Sequence, residues 1–125
     1  MKENQSTNVI AFQFKNSTNH EVRTIQKTDG SVWFVAVDAC RILGVQTRDV
    51  SKRLDLDEIS KVDRNHLGLI PGKAMVLVNE SGLYALIMKS RKPQAKKFRK
   101  WVTSEVLPQI RKTGAYIQEP TRRDA

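Results

Sequence analysis

Lys89, Arg91, Lys92, Lys96, Lys97 and Lys100 crowd into twelve consecutive residues with no carboxylate among them. Cations at that density draw polyanions, whether nucleic-acid phosphates, whose backbone they would neutralise and hold in register, acidic proteins or an anionic membrane. The plain alternative is a solvated helix face. From Leu86 onward eleven Lys and Arg stand against three carboxylates, so about eight of the nine net positive charges lie in the last forty positions. A second set, Arg41, Thr47, Arg48, Ser51 and Lys52, offers hydrogen-bond donors that can meet base edges or phosphates, and Lys73 stands alone between apolar runs.

Catalytic and metal chemistry find little support. Asp55, Asp57, Glu58 and Asp63 form an acidic cluster, but Ile59 and Ser60 occupy the places where a Ca²⁺ loop requires Asp or Asn followed by Gly. His20 and His66 have no Cys or His at zinc-ligand spacing. Cys40, the single cysteine, reads as a small apolar core residue. Glu105 projects between Phe98, Trp101 and Val102 on a regular helical wheel. It is therefore expected to be partly buried beside an arginine or the Trp101 indole N–H. No second reacting group accompanies it, and no catalytic residue, metal ligand or cofactor is expected.

The elements that must carry these residues can be read from periodicity. Ile10, Phe12 and Phe14 alternate with small or polar residues in a strand expected over Val9 to Phe14. Glu21 to Gln26 and Ser31 to Val35 flank Asp29 and Gly30, a pair that tolerates the positive φ of a hairpin turn. From Ala36 the period changes: Ala36, Ala39, Cys40 and Leu43 repeat at helix spacing, and Gly44 stops the helix. Thr47 is placed to cap a second helix, with Val50 and Leu54 inward and Arg48 and Lys52 outward. The two form a helix-turn-helix candidate, a spacing that also joins helices binding nothing.

A hairpin is expected from His66 to Ile70 and Ala74 to Val78 around Pro71 and Gly72, with Lys73 at the tip of a wing. Asn79 then precedes a short helix through Leu83, Leu86 and Ile87. Pro93 opens the last helix, in which Phe98, Trp101, Val102, Val106 and Ile110 form an inward stripe while Lys96, Lys97 and Lys100 point outward. Pro108 removes an amide and is expected to kink that helix near Ser104, and Gly114 to end it.

The 125 residues suit one domain: a flexible start over 1–8, a folded unit over 9–116 and a tail or linker over 117–125. No apolar run reaches the roughly 18 residues of a membrane span, and the start MKENQSTNV lacks a signal-peptide layout, which points to the cytoplasm. The fold class expected is α+β, a small antiparallel sheet with a helix-turn-helix-like pair, a hairpin and a long basic C-terminal helix.

Three stretches carry a resemblance. VWFVAVDACRILGV (Val32 to Val45), MVLVNESGLYALIMKSRKPQAKKF (Met75 to Phe98) and FRKWVTSEVLPQIRKTGAY (Phe98 to Tyr116) together resemble the N-terminal domain of the BRO family, found in phage antirepressors and proteins of large DNA viruses. Over Val9 to Tyr116 the resemblance implies a DNA-binding module of a phage or prophage transcription regulator, acting in the host cytoplasm at the nucleoid. It also implies that a second, C-terminal domain often follows, whereas this chain stops soon after Tyr116. Duplex DNA is the expected ligand, because the eight aromatic residues are mostly claimed by strands and core. A phage repressor or another protein is the alternative partner: a protein-binding antirepressor would sequester a repressor without touching DNA. Self-association is compatible with either role, and no membrane partner is expected.

Overall fold

Alternating apolar residues form an antiparallel meander at the start of the chain. In the computed structural model, which describes residues 8–16, 18–62 and 74–114, β1 (Asn8–Lys15) pairs with β2 (Asn19–Gln26), and β2 with β3 (Val32–Val35). Between β2 and β3 only Gly30 takes a positive φ, 87°. Asp29 serves the turn differently: its carboxylate accepts from the Ser31 N–H and hydroxyl, which hold it below the usual carboxylate range.

From β3 the chain passes directly into α1 (Ala36–Leu43), and Gly44, at φ 71°, ends the helix. A 3-10 turn over Thr47–Asp49 leads into the short α2 (Val50–Arg53). Thr47 does not cap this segment as the sequence suggests, since no side-chain bond closes its first turn. Its hydroxyl meets the Cys40 thiol instead, tying the turn back to α1.

β4 (Ile59–Val62) and β5 (Met75–Asn79) complete a single five-stranded sheet of order β1-β2-β3-β5-β4. β5 has β3 on one side and β4 on the other, with Ile59 opposite Val78 and Val62 opposite Met75, and the expected hairpin strand His66–Ile70 lies outside the described residues. His66, Pro71, Gly72 and Lys73 lie outside the described residues, as do the start over 1–7 and the tail from 115 onward.

Asn79 caps α3 (Glu80–Lys89) by accepting from the Gly82 N–H at 2.9 Å. Gly82 is needed for close approach, since a Cβ there would stand 3.0 Å from Leu54 Cδ1 and 3.1 Å from the Glu58 carbonyl. After Pro93 comes a continuous helical run: α4 (Gln94–Trp101), a π-helical turn (Val102–Val106) and α5 (Leu107–Gly114). The helices share one core with the sheet, where Phe14, Val22, Phe34 and Val78 meet Leu43, Leu83, Leu86, Phe98 and Val102. Ile25, Val35 and Leu77 form a second buried cluster. The architecture is α+β.

The π-turn explains two departures from the sequence reading. Phe98, Val102, Val106 and Ile110 repeat every four residues, and in a regular helix of about 100° per residue each step drifts about 40° around the axis. A π-turn takes up one extra residue and cancels that drift. Val106, Leu107 and Ile110 are therefore buried, while Glu105, expected inward, is exposed, as is Gln109. The bulge falls where Pro108 withholds the N–H that Ser104 O would receive. The hydroxyls of Thr103 and Ser104 donate back to the carbonyls of Arg99 and Lys100, bracing the helix where it enters the widened turn. Trp101 is half-buried rather than deep in the stripe, with its ring 5.1 Å from Phe14, 5.8 Å from Phe98 and 6.4 Å from Phe12.

Among the described residues the buried carboxylate is Asp38, only 2% exposed. It accepts from Arg23 Nε at 2.8 Å, Arg23 Nη2 at 2.9 Å and the Arg23 backbone N–H at 2.9 Å, so that α1 is fastened to β2. A carboxylate is tolerated out of water when its oxygens are hydrogen-bonded in this way.

Candidate nucleic-acid interface

The end of α1 seats the basic segment between α3 and α4. A helix leaves its last carbonyls without internal partners and with a partial negative charge. Ser90 Oγ donates to Leu43 O at 2.7 Å and Gln94 Nε2 to Ile42 O at 3.0 Å, while the Lys92 N–H donates to Ser90 Oγ at 3.2 Å. The stem of Lys92 lies over Gly44, where a Cβ would come within 2.6 Å of Lys92 Cε. Lys89, Arg91 and Lys92 are thus held beside the α1–α2 turn by a folded connection.

There they line one groove with Gly44, Gln46, Asp49 and Arg53. A second groove, between α3 and α4, is lined by residues that include Tyr84, Met88, Lys92, Lys96 and Arg99. Met88, Ser90 and Lys92 belong to both, so the two are continuous. Together they collect Arg53, Lys89, Arg91, Lys92, Lys96 and Arg99 against a single carboxylate, Asp49.

The residues expected from sequence divide. Lys89, Arg91, Lys92 and Lys96 come together in this surface. Arg48, Ser51 and Lys52 are exposed on the 3-10 turn and α2, next to Asp49 and Arg53 in sequence but not among the groove's lining residues. Lys97 and Lys100 are exposed on α4 and line neither groove. Arg41 stands 3.7 Å from Asp38 Oδ1 and stays 66% exposed. Thr47 is half-buried against Cys40, and Lys73 lies outside the described residues. Sequence reasoning missed Arg53 and Arg99. Both could have been found from spacing, Arg53 directly after Lys52 and Arg99 three residues beyond Lys96 on the same helix face.

Elsewhere the acidic residues make structural bonds. Glu58 accepts from Ser81 Oγ at 2.6 Å and from the Asp55 N–H at 3.0 Å, and these bonds, Ser81 foremost, lower its pKa. Glu105 lies in a shallow groove between β1 and the C-terminal helix, with Trp101, Pro108 and Lys112. Among the described residues no three His, Cys, Asp or Glu side chains converge as metal ligands. Burial pushes the Cys40 thiol up, away from the thiolate that a nucleophile requires. No helix among the described residues is long and apolar enough to cross a membrane.

A model of the BRO family N-terminal domain matches residues 21–108. An uncharacterized protein of Haemophilus influenzae is 41% identical over 90% of this chain and 56% of its own length. Proteins described as containing a Bro-N domain are also similar. One from invertebrate iridescent virus 6 is 34% identical, covering 80% of this chain and 28% of that protein. One from Acanthamoeba polyphaga mimivirus is 29% identical, covering 92% and 51%. The chain therefore spans between about a quarter and just over half of these relatives. No solved structure matches it significantly.

Proposed function

Because this chain belongs to the BRO family through its N-terminal domain, we propose that it is a non-catalytic DNA-binding module of a phage, prophage or viral transcription regulator, antirepressor-like in type. The observation that carries this reading is the continuous cationic surface seated on the end of α1. Arg53, Lys89, Arg91 and Lys92 neutralise phosphates of a duplex, and the Ser90 and Gln94 bonds to the end of α1 give the lysine-rich side of that contact a defined geometry. The exposed donors Arg48, Ser51 and Lys52 on the adjoining turn reach toward base edges. Arg41, Lys96, Lys97 and Lys100 extend the positive field around the contact. Binding takes place in the host cytoplasm, at the nucleoid.

Ring packing favours duplex over single strands. Phe12, Phe14, Phe98 and Trp101 pack on one another, and Lys27 Nζ sits 4.1 Å over the Trp33 ring, so few aromatic faces remain for unpaired bases. The test is an electrophoretic mobility shift with a short random-sequence duplex at low salt. A shift by the wild-type chain that is lost in the Lys89→Ala, Arg91→Ala, Lys92→Ala triple variant supports the proposal. A duplex left unshifted by folded wild-type protein rejects it.

A further inference from the structure

The groove between α3 and α4 carries a feature that phosphate binding does not use. Met88 is 84% exposed at its lip, Tyr84 and Pro93 form its walls, and the floor includes the buried Ile87 and Ala95. Along one edge Lys96 and Arg99 stand three residues apart on one face of α4, and Lys92 joins them from the segment just before that helix. An apolar trough of ≈ 800 Å³ under a cationic edge is a recognisable shape for a helix-in-groove contact.

We infer that this groove docks an acidic amphipathic helix of a protein partner. Charge selects the occupant. A second copy of the chain would bring another net charge of +9 against the cationic edge. Duplex DNA would satisfy Lys92, Lys96 and Arg99 but would set its charged backbone over Met88 and Tyr84 and bury neither. An acidic helix answers both features, placing apolar residues at i, i+3, i+4 and i+7 on the trough and carboxylates on the flank facing the three cations. From Ala95 to Thr103 the groove follows α4 and the start of the turn after it for about 12 Å, or about two helical turns. Glu80, the acid beside Tyr84, is engaged with the Tyr84 hydroxyl and leaves the cationic edge open to the partner.

The experiment uses the full chain and three labelled probes: a synthetic helical peptide with a leucine stripe flanked by glutamates, a scrambled peptide of the same composition, and single-stranded oligothymidylate. Fluorescence anisotropy reads affinity, and the ¹³C-methyl resonance of Met88 reports where each probe sits. The striped peptide is expected to bind saturably and shift Met88, and to bind at least fivefold more tightly than the scrambled one. Met88→Ser, at an exposed position that the fold does not need, should weaken the peptide at least fivefold. Equal binding of the two peptides, absence of saturation, or unchanged peptide affinity in Met88→Ser overturns the inference. A Met88 shift produced by oligothymidylate and not by the peptide assigns the groove to single-stranded nucleic acid instead.

Discussion

In the proposed DNA-binding reading, base contacts rest on Arg48, which is exposed on the turn adjoining the groove while Thr47 beside it is turned toward Cys40. Arg48→Ala is expected to lower affinity for a selected site by about 1 to 3 kcal/mol while random-sequence affinity changes less, as measured by competition binding. An equal loss on both would make Arg48 a phosphate contact. Glu58 illustrates how bonding rather than burial sets an ionisation. Ser81 and the Asp55 N–H stabilise its charged form, so its folded pKa lies below the unfolded one. Its contribution to stability is therefore present above the ordinary carboxylate range of about 4 and is lost as pH falls through the lowered value. Ser81→Ala should move the NMR titration midpoint of Glu58 upward; an unmoved midpoint would remove the Ser81 bond as its cause.

Among the elements, the π-turn sets the inward and outward residues of the C-terminal helix. If it resets the helix phase, Ile110→Ala should cost about 2 to 4 kcal/mol in urea unfolding while Glu105→Ala stays within about 0.5 kcal/mol. A regular helix would draw Glu105 inward and raise its loss. Trp101→Ala, at a half-buried ring among Phe12, Phe14 and Phe98, should cost about 2 to 4 kcal/mol, somewhat less than the roughly 3 to 5 kcal/mol of a fully enclosed tryptophan. A thermal melt unchanged by the substitution would make Trp101 a surface group. The same elements mark what could be read in advance. The β1–β2–β3 meander, α1 with its Gly44 stop and the helix after Pro93 were visible because each is a local pattern. β4 was not: Ile59–Val62 is four residues with Ser and Lys in the middle, and only its pairing with distant β5 makes it a strand. Glu105 was misplaced because a wheel drawn at constant pitch cannot contain a π-turn. In the site, the lysine-rich segment stood out by composition. Its seat on Ile42 and Leu43, and its meeting with Arg53, depend on contacts across about forty to fifty residues that no local pattern encodes.

At the scale of the whole molecule, a five-stranded sheet and its helices hold an uneven charge distribution in fixed shape, and that unevenness determines what the protein attracts. Arg53, Lys89, Arg91 and Lys92 come from two segments far apart in sequence and converge on one groove, as a disordered basic arm would not. The measurement that bears most directly on the central claim is the salt dependence of duplex binding. Anisotropy titrations of a labelled random-sequence duplex over a range of NaCl concentrations would compare wild type with the Lys89→Ala, Arg91→Ala, Lys92→Ala variant, after thermal melts confirm that both are folded. Each phosphate contact releases counterions worth about 0.9 in the slope of log affinity against log salt, so the variant's slope should be shallower by about 2 to 3. Parallel lines for the two proteins, or no wild-type binding at the lowest salt, would contradict the account.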